Sequence, residues 1–189
     1  MAEKMKSSLA NMFIVLTLIC LISAAALGFT YTQTADRIDD LAEQRRIEAI
    51  RQVLPEFDNN PAEEAYNLDS DPRITIYPAT LDGESVGAAV QSYSDEGYSG
   101  TITVMVGFEA DGTVHRTSVL SHLETPGLGA KMTEEEFQSQ VFGLDPEEDD
   151  IRVSNDGGEV DSITAATITS RAFCDAVRRA HEALQEGGA

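Results

Sequence analysis

The chain has 189 residues, room for one domain plus an anchor and too little for a large multi-site enzyme. Asp and Glu number 33 against 13 Lys and Arg, a formal net charge of -20. That balance argues against a nucleic-acid partner, because phosphates attract basic surfaces. Two cysteines occur, Cys20 in an apolar run and Cys174 near the C-terminus. They are not expected to pair, and no cysteine cluster is present to hold zinc or iron–sulfur.

Residues 12–30 are almost wholly apolar and uncharged, long enough to cross a hydrocarbon core as a helix. Lys4 and Lys6 precede the run, while Asp36, Asp39, Asp40 and Glu43 follow it. The asymmetry predicts a cytoplasmic N-terminus at 1–11, a span at 12–30 and a remainder on the outer face. A cleaved signal peptide is the competing reading, encouraged by Ala24-Ala25-Ala26, but the run exceeds the roughly 7–15 residues of a signal core. Next, Ala35, Ile38, Leu41, Ile47, Ile50 and Val53 recur at helical spacing as far as Pro55, which predicts a membrane-proximal stalk helix over 31–55.

Residues 56–72 are acidic and rich in Asn, Asp and Pro, and read as an irregular connection with one short helix at most. Strands are predicted at 74–78, 85–92, 101–109 and 113–120, separated by Asp82-Gly83, Glu96-Gly97 and Asp111-Gly112. Asp-Gly pairs favour tight hairpins and hence an antiparallel sheet. Residues 132–141 read as a short helix beginning at Thr133, with Glu136 completing a capping box. Acidic runs at 133–136 and 145–150 lack the ligand spacing of a calcium loop and read as solvated faces. His115, His122 and His181 are scattered and read as surface or packed residues. The last helix is predicted from Ser170 to about Gln185, with Ala172, Phe173, Ala176, Val177, Ala180 and Leu184 on one face. No internal repeat is present, and the fold class is α+β.

Just before that helix lies the run Asp161-Ser162-Ile163-Thr164-Ala165-Ala166-Thr167-Ile168-Thr169-Ser170. Its hydroxyls stand among small residues at a helix entrance, where unpaired N–H groups and the positive dipole end suit a phosphate ester. Read structurally, the same residues form a short strand with Thr169 or Ser170 capping the helix.

The run resembles the flavinylation motif Asp-x-x-(Ser/Thr)-Gly-Ala-Thr of the FMN-binding domain shared by the G subunit of Rnf complexes and the C subunit of sodium-pumping NADH:quinone reductases. Asp161, Thr164, Ala166 and Thr167 match it, and Ala165 replaces the glycine. If that position needs positive φ, alanine costs on the order of 1 kcal/mol. Gly97-Tyr98-Ser99-Gly100 and Glu124-Thr125-Pro126-Gly127-Leu128-Gly129 are similar to two further signatures of the Rnf G subunit, in the right order. The resemblance runs from the membrane segment to the last helix.

It implies an antiparallel-sheet FMN-binding domain with packed helices over 56–189, on the outer side of the cell inner (cytoplasmic) membrane. It also implies covalent FMN on Thr167 through a phosphodiester, attached by a flavin transferase that uses FAD. Glu124, Thr125, Gly127, Leu128 and Gly129 are the implied flavin contacts, with Asp161, Thr164 and Ala166 completing the attachment motif. The two glycines of Thr125–Gly129 would let a fixed turn approach a flat ring, with Leu128 as an apolar contact. The implied role is electron transfer beside the other subunits of an ion-translocating ferredoxin:NAD oxidoreductase, with neither a metal nor a catalytic nucleophile of its own. Two rivals stand beside it. One is an anchored domain holding a noncovalent ligand near Thr125–Gly129. The other is a pilin-like structural protein, although the glycine–phenylalanine processing junction followed by a glutamate at the fifth mature position is missing.

Overall fold

The computed structural model describes residues 8–188. Lys4 and Lys6, on which the expected orientation rests, lie outside the described residues. The chain divides into two units, 1–44 and 45–189. In the first, helix α1 (Leu9–Val53) carries the apolar run with its large side chains exposed, among them Phe13, Leu21 and Leu27. It is long and apolar enough to cross a membrane. Apolar residues surround this part of the helix, which suits an apolar environment better than a one-sided core. The helix stops at Val53, two residues before Pro55, as the proline predicts.

The second unit is an antiparallel meander in the order β1-β2-β3-β4-β5: β1 (Tyr66–Asn67), β2 (Thr75–Leu81), β3 (Glu84–Ser94), β4 (Ile102–Glu109) and β5 (Val114–Ser121). Asp82 and Gly83 both have positive φ, 52° and 83°, the pattern of a type I′ hairpin. Two differences from the sequence reading lie at the sheet edge. Strand β1 falls inside the stretch expected to be irregular, and β2 runs through Pro78 to Leu81. Proline is tolerated there because β1 pairs only with Thr75 and Ile76, so Pro78 lies on an edge with no strand partner, where its carbonyl accepts a hydrogen bond from Asn59 Nδ2 at 3.0 Å.

Both faces of the sheet are covered. Helix α3 (Thr167–Gly187) packs Phe173, Ala176, Val177 and Ala180 against Val90, Val104, Val106 and Phe108 on one face. On the other, Ala49, Ile50 and Val53 at the end of α1, with Leu54, meet Tyr77, Ala79, Ala89 and Met105. Strand β4 is therefore buried on both sides and reads as a continuous apolar run. Gly107 lies at the α1 contact, where a Cβ would sit 1.9 Å from the Val53 carbonyl oxygen. Cys174 is buried in α3, and desolvation pushes its thiol up to about 12, so it packs as an apolar group.

The helix predicted at 132–141 is instead three short pieces: a 3-10 turn at Gly129–Thr133, helix α2 (Glu135–Gln138) and a second 3-10 turn at Ser139–Val141. The capping box does not form. Thr133 Oγ1 donates back to the Ala130 carbonyl at 2.9 Å, the local competition that hydroxyl side chains offer. Burial of Met132, Phe137 and Val141, with Phe137 edge-on to Phe173 at 5.2 Å, fixes the broken path.

Candidate functional site

Three loops and the start of α3 meet at one cavity of about 490 Å³. Thr125–Leu128 is a turn closed by the Leu128 N–H donating to the Thr125 carbonyl at 3.1 Å. Pro126 supplies its second residue and Gly127, at φ 77°, its third, which requires positive φ. Gly129 follows at a close approach: a Cβ there would lie 2.6 Å from Glu124 Oε2 and 2.7 Å from Thr169 Oγ1.

The run 161–170 folds as a turn and a helix start, so the strand reading does not apply. The Ala166 N–H donates to the Ile163 carbonyl at 2.9 Å, closing a turn whose third residue, Ala165, has φ 62°. The alanine therefore occupies a conformation that favours glycine. We expect Ala165→Gly to raise stability by about 1 kcal/mol, a few degrees in Tm, as read by thermal denaturation. Gln140 clasps the Asp161 backbone, with Oε1 accepting its N–H at 2.7 Å and Nε2 donating to its carbonyl at 3.3 Å.

Helix α3 begins at Thr167, not Ser170. The Ser170 hydroxyl instead bridges the preceding turn, where its Oγ accepts the Ile163 N–H at 2.9 Å and donates to the Ala166 carbonyl at 3.1 Å. The N-cap position falls on Ala166, which makes no side-chain cap. Alanine is among the poorest caps, by about 1 kcal/mol against Ser or Asp, and it leaves the first-turn N–H groups open. Arg171 and Asp156 form a two-point pair at 2.6 and 2.7 Å beside this turn, and the guanidinium holds the Asp156 carboxyl below its ordinary range.

The hydroxyls of the run now differ in kind. Thr169 is buried and its Oγ1 donates to Glu124 Oε2 at 2.8 Å. Thr164 is exposed and does not line the cavity. Thr167 is half-buried, lines the cavity and has no side-chain hydrogen bond among the described residues.

Of the residues singled out in the sequence, Glu124, Thr125, Leu128, Gly129, Ala166 and Thr167 line the cavity together. Gly127 shapes the turn behind it, while Asp161 and Thr164 stand outside the lining. Tyr98, Ala165, Ile168 and Thr169 line it too, although the sequence reading gives them no contact there. Tyr98 is within reach of that reading, since it lies in the Gly-Tyr-Ser-Gly signature. The cavity falls within the roughly 300–1,000 Å³ usual for small-molecule sites. Apolar surfaces from Tyr98, Leu128 and Ile168 and small residues at Gly129, Ala165 and Ala166 suit a flat ring. The open helix start beside Thr167 suits an anion.

Residues 97–182 match the family model described as FMN-binding domain. The G subunit of the ion-translocating oxidoreductase complex of Vibrio cholerae serotype O1 is 32% identical over 92% of this chain and 88% of the relative. That of Aliivibrio fischeri is 34% identical over 93% and 90%, and that of Stutzerimonas stutzeri 36% over 88% and 77%. Among solved structures, NqrC of Shewanella oneidensis superposes with a TM-score of 0.49 at 25% identity, covering 59% of this chain and 58% of that one. The chain belongs to the family of G subunits of ion-translocating oxidoreductase complexes.

Proposed function

We propose that this protein is an electron-transfer subunit of an ion-translocating oxidoreductase complex and carries FMN esterified through its phosphate to the Thr167 hydroxyl. The observation that carries this reading is the meeting of Thr167, at an uncapped helix start, with the Glu124–Gly129 loop across one cavity. The family model over 97–182 supports FMN, and the relatives' names support the complex.

Bound FMN supplies the redox chemistry, and the protein supplies attachment, orientation and local field. Thr167 provides the oxygen that forms the phosphodiester. A flavin transferase would break the pyrophosphate of FAD as that bond forms, and AMP would leave. The first-turn N–H groups and positive helix end would hold the phosphate. Leu128, Tyr98 and Ile168 offer apolar surface to the ring, and Gly129 keeps the loop close. The protein carries electrons between neighbouring centres of the assembly and turns over no substrate alone.

In the same reading, 12–30 spans the inner membrane once, 1–11 is cytoplasmic, 31–55 is the stalk, and 56–189 is the FMN-binding domain on the outer side. Attachment keeps the cofactor from diffusing away on that side. The deciding experiment is flavin fluorescence of the denatured protein band after coexpression with a flavin transferase. Bound flavin that separates on denaturation would replace the covalent reading with a noncovalent one.

A further inference from the structure

Glu124 is 5% exposed, yet both of its carboxylate oxygens are engaged. The Ser99 N–H donates to Oε1 at 3.0 Å, and the Thr169 hydroxyl donates to Oε2 at 2.8 Å. The Glu124 N–H in turn donates to His122 Nδ1 at 3.1 Å. Glycines make room on two sides: a Cβ at Gly97 would lie 3.0 Å from Oε1, and one at Gly129 would lie 2.6 Å from Oε2. One side chain thus joins loop 97–100, loop 124–129 and the first turn of α3, and each of these segments contributes cavity lining.

Burying a carboxylate is unfavourable unless hydrogen bonds or an opposite charge compensate it. Here both partners are neutral donors, and among the described residues no Lys or Arg pairs with Glu124. Its negative charge is therefore met at the cavity wall only by hydrogen-bond donors and the positive end of α3. A carboxylate this buried acts on a neighbour through less water than an exposed one does and opposes the arrival of an electron there.

We propose that Glu124 is the positioning residue of this cavity: its carboxylate locks the Ser99 loop to the first turn of α3 and lowers the reduction potential of the flavin held between them. The second half rests on the FMN reading given above.

The test uses the full chain in detergent, with the midpoint potential of attached flavin measured spectroelectrochemically and amide hydrogen exchange measured on the chain before flavin attachment. Glu124→Gln keeps the shape and removes the charge. At a fixed potential we expect its ratio of reduced to oxidised flavin to rise about tenfold, about 30 mV for a two-electron couple. Glutamine still accepts the Ser99 N–H but without the charge. Exchange at the Ser99 amide should therefore quicken about fivefold, the scale of a charge-assisted hydrogen bond weakened to a neutral one. Thr169→Val removes one hydrogen bond and leaves the charge, so exchange should quicken while the potential moves far less than in Glu124→Gln.

An unchanged potential in Glu124→Gln, or equal shifts in the two variants, would overturn the electrostatic role; unchanged exchange would overturn the locking role. Should Glu124→Gln protein not fold, Glu124→Asp carries the test. It keeps the charge on a shorter arm, so faster exchange with little change in potential is expected, and a tenfold redox shift would sink the proposal. If wild-type chain takes up no flavin from an active transferase, the FMN reading and the redox half fail together. Exchange at Ser99 still decides the locking half.

Discussion

Thr167→Ala protein coexpressed with a flavin transferase is expected to lose all covalent flavin and to keep its fold. The phosphodiester needs the hydroxyl oxygen, and alanine has none to offer. Nothing else should suffer: the Thr167 side chain is half-buried and has no hydrogen bond among the described residues, and alanine is at least as good a helix former. Stability should stay within about 0.5 kcal/mol of wild type. In-gel fluorescence of the denatured band reads the loss, and thermal denaturation reads the fold. Ser162→Ala is the informative control, since Ser162 lies outside the cavity at a position the motif leaves open, and its removal should leave the band fluorescent. A fluorescent Thr167→Ala band would move the attachment elsewhere. Dark bands in every variant and wild type, with the transferase active on a control substrate, would favour a noncovalent site.

The second large effect belongs to the fold. Gly107→Ala should destabilise the domain by at least about 2 kcal/mol, the overpacking range for a core that cannot yield. The new methyl would fall 1.9 Å from the Val53 carbonyl oxygen and 2.5 Å from its carbon, both backbone atoms that no rotamer change can move aside. Either the end of α1 lifts from the sheet or β4 bends, and Met105 and Ala89 lose their cover in both cases. Denaturant titration of the detergent-solubilised chain would measure it, and a loss below about 0.5 kcal/mol would show that this contact is loose.

The sheet is largely legible in the sequence because its signals are local. Four apolar runs and two Asp-Gly pairs anticipate four strands of the meander, and the Asp82-Gly83 turn has the positive φ values that the pair favours. Proline at 55 marks the end of α1 for an equally local reason. The helix expected at 132–141 fails because the start signal at Thr133 and Glu136 is only local, while buried Met132, Phe137 and Val141 are reached by a broken path. The start of α3 is displaced from the expected one because Ser170 looks like a cap. Its hydroxyl is engaged instead by Ile163, seven residues upstream, and the helix begins on an alanine that carries no start signal.

By itself the sequence determined the long apolar helix, the α+β class, the turns and the signature segments, all of which are written in short-range pattern and residue type. Only the tertiary structure decided which threonine faces the cavity unbonded, and that Glu124 ties the site together. Those outcomes hang on partners 25 and 45 residues distant along the chain, Ser99 and Thr169, and on a backbone approach at Gly129. A hydroxyl is open or committed only once packing has chosen its neighbours, and no local periodicity records that choice.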